Sequence, residues 1–275
     1  MSVTRAVQEV PEALIARETA WQGFYRKRYK LIWGMVSMLV FVLVWEAVYR
    51  SGSLNPLFTS SPTLVFKAMV AYVKSGEVWT DYWISMVELL SGFLLAILIG
   101  IPVGILAGWY KLADALLNPF VLTLYPTPII AFLPLLIIWF GIGFTSKIII
   151  IFLGAFFPIM FSTATAFRTV DPQLLKAAKS FGATDAIIFK TIALPGSVPS
   201  ILTGVRLGIG RALMSMVISE FFAAQAGIGH LISVTGSTFQ TNKLFVGIVL
   251  VALTGLVLSQ IATSIEQKFD AWRVR

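Results

Sequence analysis

Residues 89–108 read LLSGFLLAILIGIPVGILAG, a run without a charged side chain. An α-helix rises about 1.5 Å per residue, so roughly 20 apolar residues match a hydrocarbon core about 30 Å thick. The run predicts a membrane-spanning helix, and its small residues say how that helix packs. Gly92, Ala96, Gly100, Gly104 and Gly108 recur at every fourth position, an i±4 ridge almost bare of side chain. Apolar side chains gain little by leaving lipid tails, so such ridges join helices through van der Waals contact. The ridge predicts close approach either to another helix of this chain or to a second copy of it. Gly196, Ser200, Gly204, Gly208 and Ala212 repeat the device farther along.

Outward from that run, comparable stretches cover Leu31–Tyr49, interrupted only by Glu46, then Ile148–Phe167, about Pro199–Phe222, and Leu244–Ile265. Between Asp114 and Lys147 lies a long uncharged run containing Pro119, Pro126, Pro128 and Pro134, enough for a span plus an interfacial segment. The reading is an all-α membrane protein of about six spans. Composition agrees: 57% of the residues are apolar and 12% charged. Soluble domains carry about a quarter charged residues, so too few ionised groups are present to solvate this surface. The net charge of +8 does not indicate nucleic acid, because no basic run interleaved with aromatics occurs beyond the first thirty residues. The absence of cysteine and a lone histidine, His230, argue against a disulfide framework, a thiol nucleophile and a His-rich metal centre. His230 reads as an exposed loop residue.

Lysine and arginine set the orientation, since cytoplasmic loops accumulate them. With the N-terminus inside, only Arg50, Lys67, Lys74, Lys147 and Lys243 of the 21 fall outside. An N-in, C-in topology follows, divided into a cytoplasmic segment 1–30, a transmembrane region 31–265 and a cytoplasmic tail 266–275. Residues 11–21 suit either a helix lying on the inner surface or a loose tail. The first hydrophobic stretch lacks a small-x-small cleavage site and reads as an uncleaved anchor. Pro62 is placed to begin a short helix running through Tyr72 on the outer side.

The topology puts residues 168–199, RTVDPQLLKAAKSFGATDAIIFKTIALPGSVP, on the inside. Asp171 and Pro172 read as N-cap and first helical residue, and Gly182 as the residue past the end, defining a helix of about three turns. Leu174, Ala178 and Phe181 share one side with Ala177 beside them, while Lys176 and Lys179 point elsewhere. A face of small apolar residues suits a partner's groove. A second helix from Asp185 toward Ala193 is expected to stop before Pro195.

This loop resembles that of the permease subunits of binding-protein-dependent ABC importers, which reads Glu-Ala-Ala, three residues, Gly, nine residues, Ile-x-Leu-Pro. Ala177, Ala178, Gly182, Ile192, Leu194 and Pro195 stand at that spacing. The resemblance covers roughly residues 60–265, through GFLLAILIGIPVGILAG, LPLLIIWFGIG, GAFFPI and SEFFAAQAGIGHLI, and is greatest to the nitrate, sulfonate and taurine branch. It implies a type I importer bundle in a bacterial inner membrane, paired as a homodimer. It implies that Leu174, Lys176, Ala177, Ala178, Phe181, Gly182 and Ala183 dock on a cytoplasmic ATPase that binds ATP and Mg. A soluble binding protein would deliver the cargo, a small solute such as a sulfonate, taurine, nitrate, bicarbonate or similar organic anion, or a pyrimidine precursor. Two positions depart from the family: Lys176 replaces its Glu, and Glu88 stands where sulfonate-type members often carry Arg.

This chain lacks a G-x-x-x-x-G-K-[ST] loop, so no nucleotide site and no enzymatic role are expected of it, and the ATPase must be separate. Charges within spans mark functional sites by default, which makes Glu88, Arg206, Arg211 and Glu220 candidates for the translocation path, with Pro126 and Pro128 where the backbone is broken. The competing readings are snorkelling for the arginines and capping of an outer loop for Glu220. Trp139, Phe140, Phe221 and Phe222 suit either a gate or interfacial anchoring. An ion-coupled carrier or channel would share the spans and buried charges but has no use for the cytoplasmic helix. An intramembrane hydrolase has only Ser219 beside Glu220 to offer.

Overall fold

A computed structural model of the chain describes residues 20–269, and among these every regular element is helical. The chain divides into two units, Met1–Asn55 and Pro56–Arg275. The first contains α1 (Ala20–Arg50), whose stretch Ile32–Arg50 is long and apolar enough to cross a membrane. Trp33, Leu39, Phe41 and Leu43 lie on its surface, where hydrocarbon is the compatible solvent. Glu46 accepts a hydrogen bond from Arg50 one turn later, at 2.7 Å, so that acid is neutralised locally. The segment expected at residues 11–21 lies almost wholly outside the described residues.

Among its described residues the second unit holds ten α-helices, α2 to α11, with further candidate spans in α3 (Glu77–Trp109), α6 (Phe144–Arg168), α9 (Leu194–Ala223) and α11 (Thr241–Phe269). Between α3 and α6 come α4 (Lys111–Leu124), a 3₁₀ turn Ile129–Phe132 and α5 (Leu133–Phe140), bent by 90° at Tyr125–Pro128. The run expected to hold a span plus an interfacial piece is thus a broken pair. Pro126 and Pro128 lack the N–H groups that would continue the helix. Counting that pair as one span gives up to six among the described residues.

α6 is the axis of this unit, packed by α3 on one side and α9 on the other. The small-residue ridge explains the first contact. A Cβ at Gly104 would lie 2.6 Å from the Met160 carbonyl oxygen, and one at Gly208 on α9 would lie 2.9 Å from Ile159. Only bare backbone fits at these distances. Of the two partners that the ridge allowed, the structure puts a helix of the same chain against it. Leu89, Ala96, Ile151, Ala155, Ile159, Ala212 and Met216 fill the core between the three helices. The ridge leaves room for them to interdigitate at close packing.

α2 (Pro62–Ser75) begins as expected, with the Ser61 hydroxyl accepting from the Leu64 N–H at 3.3 Å. The second helix of the loop 168–199 departs from expectation. α8 (Asp185–Ile188) runs through a π turn, Phe189–Ala193, directly into α9, with the Leu194 N–H bonded to the Phe189 carbonyl. Widening the turn to i→i−5 rearranges the carbonyls that Pro195 would otherwise meet, so the chain bends without stopping. His230, expected in a loop, lies half-buried in the first turn of α10 (Ile228–Ser237).

Candidate functional site

α7 (Pro172–Ser180) is defined by its own sequence at both ends. The Asp171 carboxylate accepts from the Gln173 N–H at 2.7 Å, and Pro172 occupies the first turn. At the other end Gly182 takes φ +78°, its N–H bonds to the Lys179 carbonyl at 2.9 Å, and the Ala183 N–H reaches Ala178 at 3.0 Å. That double closure is a Schellman motif, and the left-handed residue it needs is the glycine.

The sides of α7 meet different surroundings. Leu174 lines a cavity with Thr191, Ile192 and Pro195, while Leu175, Lys176 and Lys179 line another beside the end of α3. Ala178 and Ala183 are half-buried, and Gln173, Ala177 and Phe181 are exposed, Phe181 to 92%. A phenylalanine left that bare is available to a partner. Of the residues expected to couple, Ala177 and Phe181 therefore form the free face, with Gly182 beside them. Leu174 and Lys176 flank it, and Ala178 and Ala183 secure the helix.

Behind α7, the ring of Phe189 connects loop to spans. It stacks on Phe167 at the end of α6, centroids 5.6 Å apart, and meets Trp109 at the end of α3 edge-on at 5.3 Å. Ala193, Ile201 and Phe167 form the buried cluster beneath. Packed rings thus join this loop to the ends of α3 and α6, and the chain runs on from it into α9. If the loop docks on an ATPase, as the resemblance implies, Phe189→Ala lowers uptake several-fold while ATP hydrolysis by the assembled complex continues. Parallel uptake and phosphate-release assays on one preparation will show whether the two separate.

At the other end of the bundle lies a polar network that the sequence indicates only in part. Asp81, Ser85 and Glu88 share one face of α3 at helical spacing, continuous with the glycine ridge. The Asp81 carboxylate accepts from the Gly227 N–H at 2.8 Å, and Ser85 Oγ accepts from the Ile228 N–H at 2.8 Å. Ser85 donates to Glu220 Oε1 at 2.6 Å, and Glu220 Oε2 accepts from the Gly229 N–H at 2.5 Å. Three consecutive orphan donors at the start of α10 are thus satisfied from α3 and α9, and the acids sit where the helix dipole favours negative charge. Gly227, at φ +121°, admits this approach, since a Cβ there would lie 2.7 Å from the Glu220 carboxylate. Glu220 is 0% exposed and caps the following segment, as one of its two readings held.

A buried ion pair lies beside these bonds and interacts with Glu220 by charge. Expected in an outer loop, Lys147 lies buried in the first turn of α6 and donates to Glu88 Oε1. Glu88 is 2% exposed, with its second oxygen buried and without a hydrogen-bond partner. Outside the spans, Tyr72 of α2 donates to Asp81. Burial, then the bond to Asp81, pushes its hydroxyl above the ordinary tyrosine value, keeping it a donor.

The other candidates for the path divide. Arg206 is taken up by Glu266 near the end of α11, at 3.0 Å, and Thr203 adds a hydrogen bond to that acid at 2.8 Å. The residues counted as the start of a tail therefore continue α11 as far as Phe269. Arg211, Pro126 and Pro128, by contrast, line one cavity of about 420 Å³ at the α4–α5 break, with Tyr125, Phe157 and Ser215. Tyr125 meets Phe157 edge-on and stacks on Phe161, at 6.3 and 6.0 Å. Arg211 is exposed and makes no ion pair among the described residues. Glu88 and Glu220 lie elsewhere, in the buried ion pair and the network beside it. Among the described residues no group of three or more His, Cys, Asp or Glu is arranged to hold a metal.

A family described as the inner-membrane component of binding-protein-dependent transport systems matches residues 100–271. The chain belongs to that family. The match takes in α7, the α4–α5 break and α11, and leaves most of α3 outside it. Across almost the whole chain, relatives within the family include the putative aliphatic sulfonates transport permease protein of Bacillus subtilis, 32% identical over 90% of each chain. The taurine transport system permease protein of Escherichia coli is 30% identical over 96% of this chain and 97% of its own. The riboflavin transport system permease protein of Chloroflexus aurantiacus is 29% identical over 86% and 88%. Among solved structures, an inward-facing form of the MetNI methionine ABC transporter superposes with a TM-score of 0.63 at 17% identity, covering 71% of this chain and 97% of that one. At that identity the likeness establishes the fold, which is that of an ABC importer permease.

Proposed function

We propose that this chain is one half of the membrane channel of an ATP-driven importer in a bacterial cytoplasmic membrane. It pairs with a second copy and with two cytoplasmic ATPase subunits that bind ATP and Mg. A soluble binding protein loads solute from outside. The observation that carries this reading is α7, a helix capped at both ends, with Ala177 and Phe181 bare and its base keyed into three spans through Phe189. Such a lever serves a partner that moves; a passive channel has no work for it.

The solute carries a sulfonate-like anionic group, and the cavity at the α4–α5 break lies on its path. The names of the sulfonate and taurine relatives support the class. Arg211 supplies an unpaired guanidinium, and Tyr125 and Phe157 supply apolar walls for the solute's body. The test is uptake of taurine into proteoliposomes holding the permease, its ATPase and its binding protein. Uptake should require ATP and both partners, and transport that persists without the ATPase contradicts the proposal. Arg211→Gln is expected to lower uptake about 10-fold or more, the loss of one charge-assisted hydrogen bond. An unchanged rate would remove Arg211 from the path.

A further inference from the structure

The cavity on the inner side of α7 has a chemistry that coupling to an ATPase does not use. It encloses about 700 Å³ between the ends of α3 and α6, the start of α4, and α7 with α8. Its floor is apolar, built from Phe167, Ile188 and the indole of Trp109. Its rim carries more bases than acids. Asp114 is matched by Arg168, and Asp185 by Lys179 at 3.3 Å. Two rim lysines remain, Lys111 and Lys176, and neither makes an ion pair among the described residues.

The position of the cavity says what it meets. Trp109 and Tyr110 end a candidate span, and Lys111 follows at once, the aromatic-then-basic order found where a helix leaves the inner leaflet. Lys176 reaches the same cavity from α7, flanking the face that exposes Ala177 and Phe181. An apolar floor at the membrane boundary under two unneutralised ammonium groups fits an amphiphile with an anionic head. We propose that this cavity binds the phosphate of an anionic phospholipid of the inner leaflet, held between Lys111 of α4 and Lys176 of α7. The lipid would then tie the lever to the end of the α3 span, which makes its coupling responsive to membrane charge. The lysine at position 176, where related permeases are expected to carry Glu, has a role in this arrangement.

The test uses the full chain in nanodiscs of phosphatidylcholine alone or mixed in equal parts with phosphatidylglycerol, with the acyl chains of one lipid brominated at a time. The Trp109 contribution is isolated as the difference from Trp109→Phe. Brominated phosphatidylglycerol should quench it more than brominated phosphatidylcholine. Each lysine should carry about a five-fold change in that preference. Lys111→Gln with Lys176→Gln should abolish the preference, and the Lys→Arg pair should restore it in protein of the same elution volume. Equal quenching by the two lipids in the native chain overturns the proposal, as does a preference that survives in the double Gln variant. Displacement by millimolar inorganic phosphate at constant ionic strength assigns the site to a free anion and overturns the lipid. Lysine variants that leave quenching unchanged but weaken ATPase co-purification assign the lysines to the ATPase and overturn it too. Bare permease suffices for the quenching, so failure here leaves ATP-dependent uptake to be judged separately.

Discussion

Lys147→Met is expected to destabilise the permease by about 3–5 kcal/mol, because it leaves Glu88 buried with no cation. The substitution keeps the length and stem of the side chain, so packing in the first turn of α6 changes little. What is lost is the ammonium that Glu88 Oε1 accepts from, in a place where neither group reaches solvent. The loss should be felt at the start of α10 as well, since Glu220, which accepts from Ser85 and from the Gly229 N–H, interacts electrostatically with both Glu88 and Lys147. Replacing both members, Glu88→Met with Lys147→Met, should recover part of the stability, because an apolar pair in the same volume carries no desolvation penalty. Thermal unfolding of the four proteins of this cycle, followed by tryptophan fluorescence in one detergent, measures the coupling. A single variant as stable as the native chain would show that the pair does not hold the helices together.

Ala177→Trp should abolish ATPase association while leaving the bundle intact. Ala177 is exposed, so the indole meets nothing in this chain, but on a helix seated in a partner's cleft it occupies the volume the partner needs. A loss of about 100-fold in co-purification, and of ATP-dependent uptake with it, corresponds to removing one central contact worth about 3 kcal/mol. Gln173→Ala on the same face removes volume and should retain both. Full association of the Ala177→Trp chain would put the docking surface elsewhere.

How much of this was legible in the sequence depended on how local the physics is. The ends of α7 are written in adjacent residues, since an N-cap, a proline at the first position and a left-handed glycine act within one turn. The glycine ridge was legible for the same reason, although its partner was not, because spacing alone does not name the surface opposite. The cavity at the α4–α5 break was signalled by Pro126 and Pro128, two missing donors within three residues, where single prolines such as Pro102 and Pro158 are carried inside helices. Lys147 was misplaced because it follows Thr145 and Ser146 at the head of an isoleucine run, which reads as a loop ending. Only the distant Glu88 makes its burial affordable. Asp81 and Ser85 went unread as well, though their spacing with Glu88 on one helix face was a visible signal. The π turn was hidden by Pro195, because the rule that proline ends a helix takes no account of a widened turn just before it. Arg206 and Arg211 look alike in sequence, and only the fold separates the one paired with Glu266 from the one lining the cavity.

The chain contains no cysteine, so one introduced at Ala177 reports on α7 alone. In inverted membrane vesicles, Ala177→Cys should react with a membrane-impermeant maleimide and be shielded when the ATPase subunits are added. Labelling of the same residue from the outer face of intact cells would put the lever on the wrong side of the membrane and contradict the account.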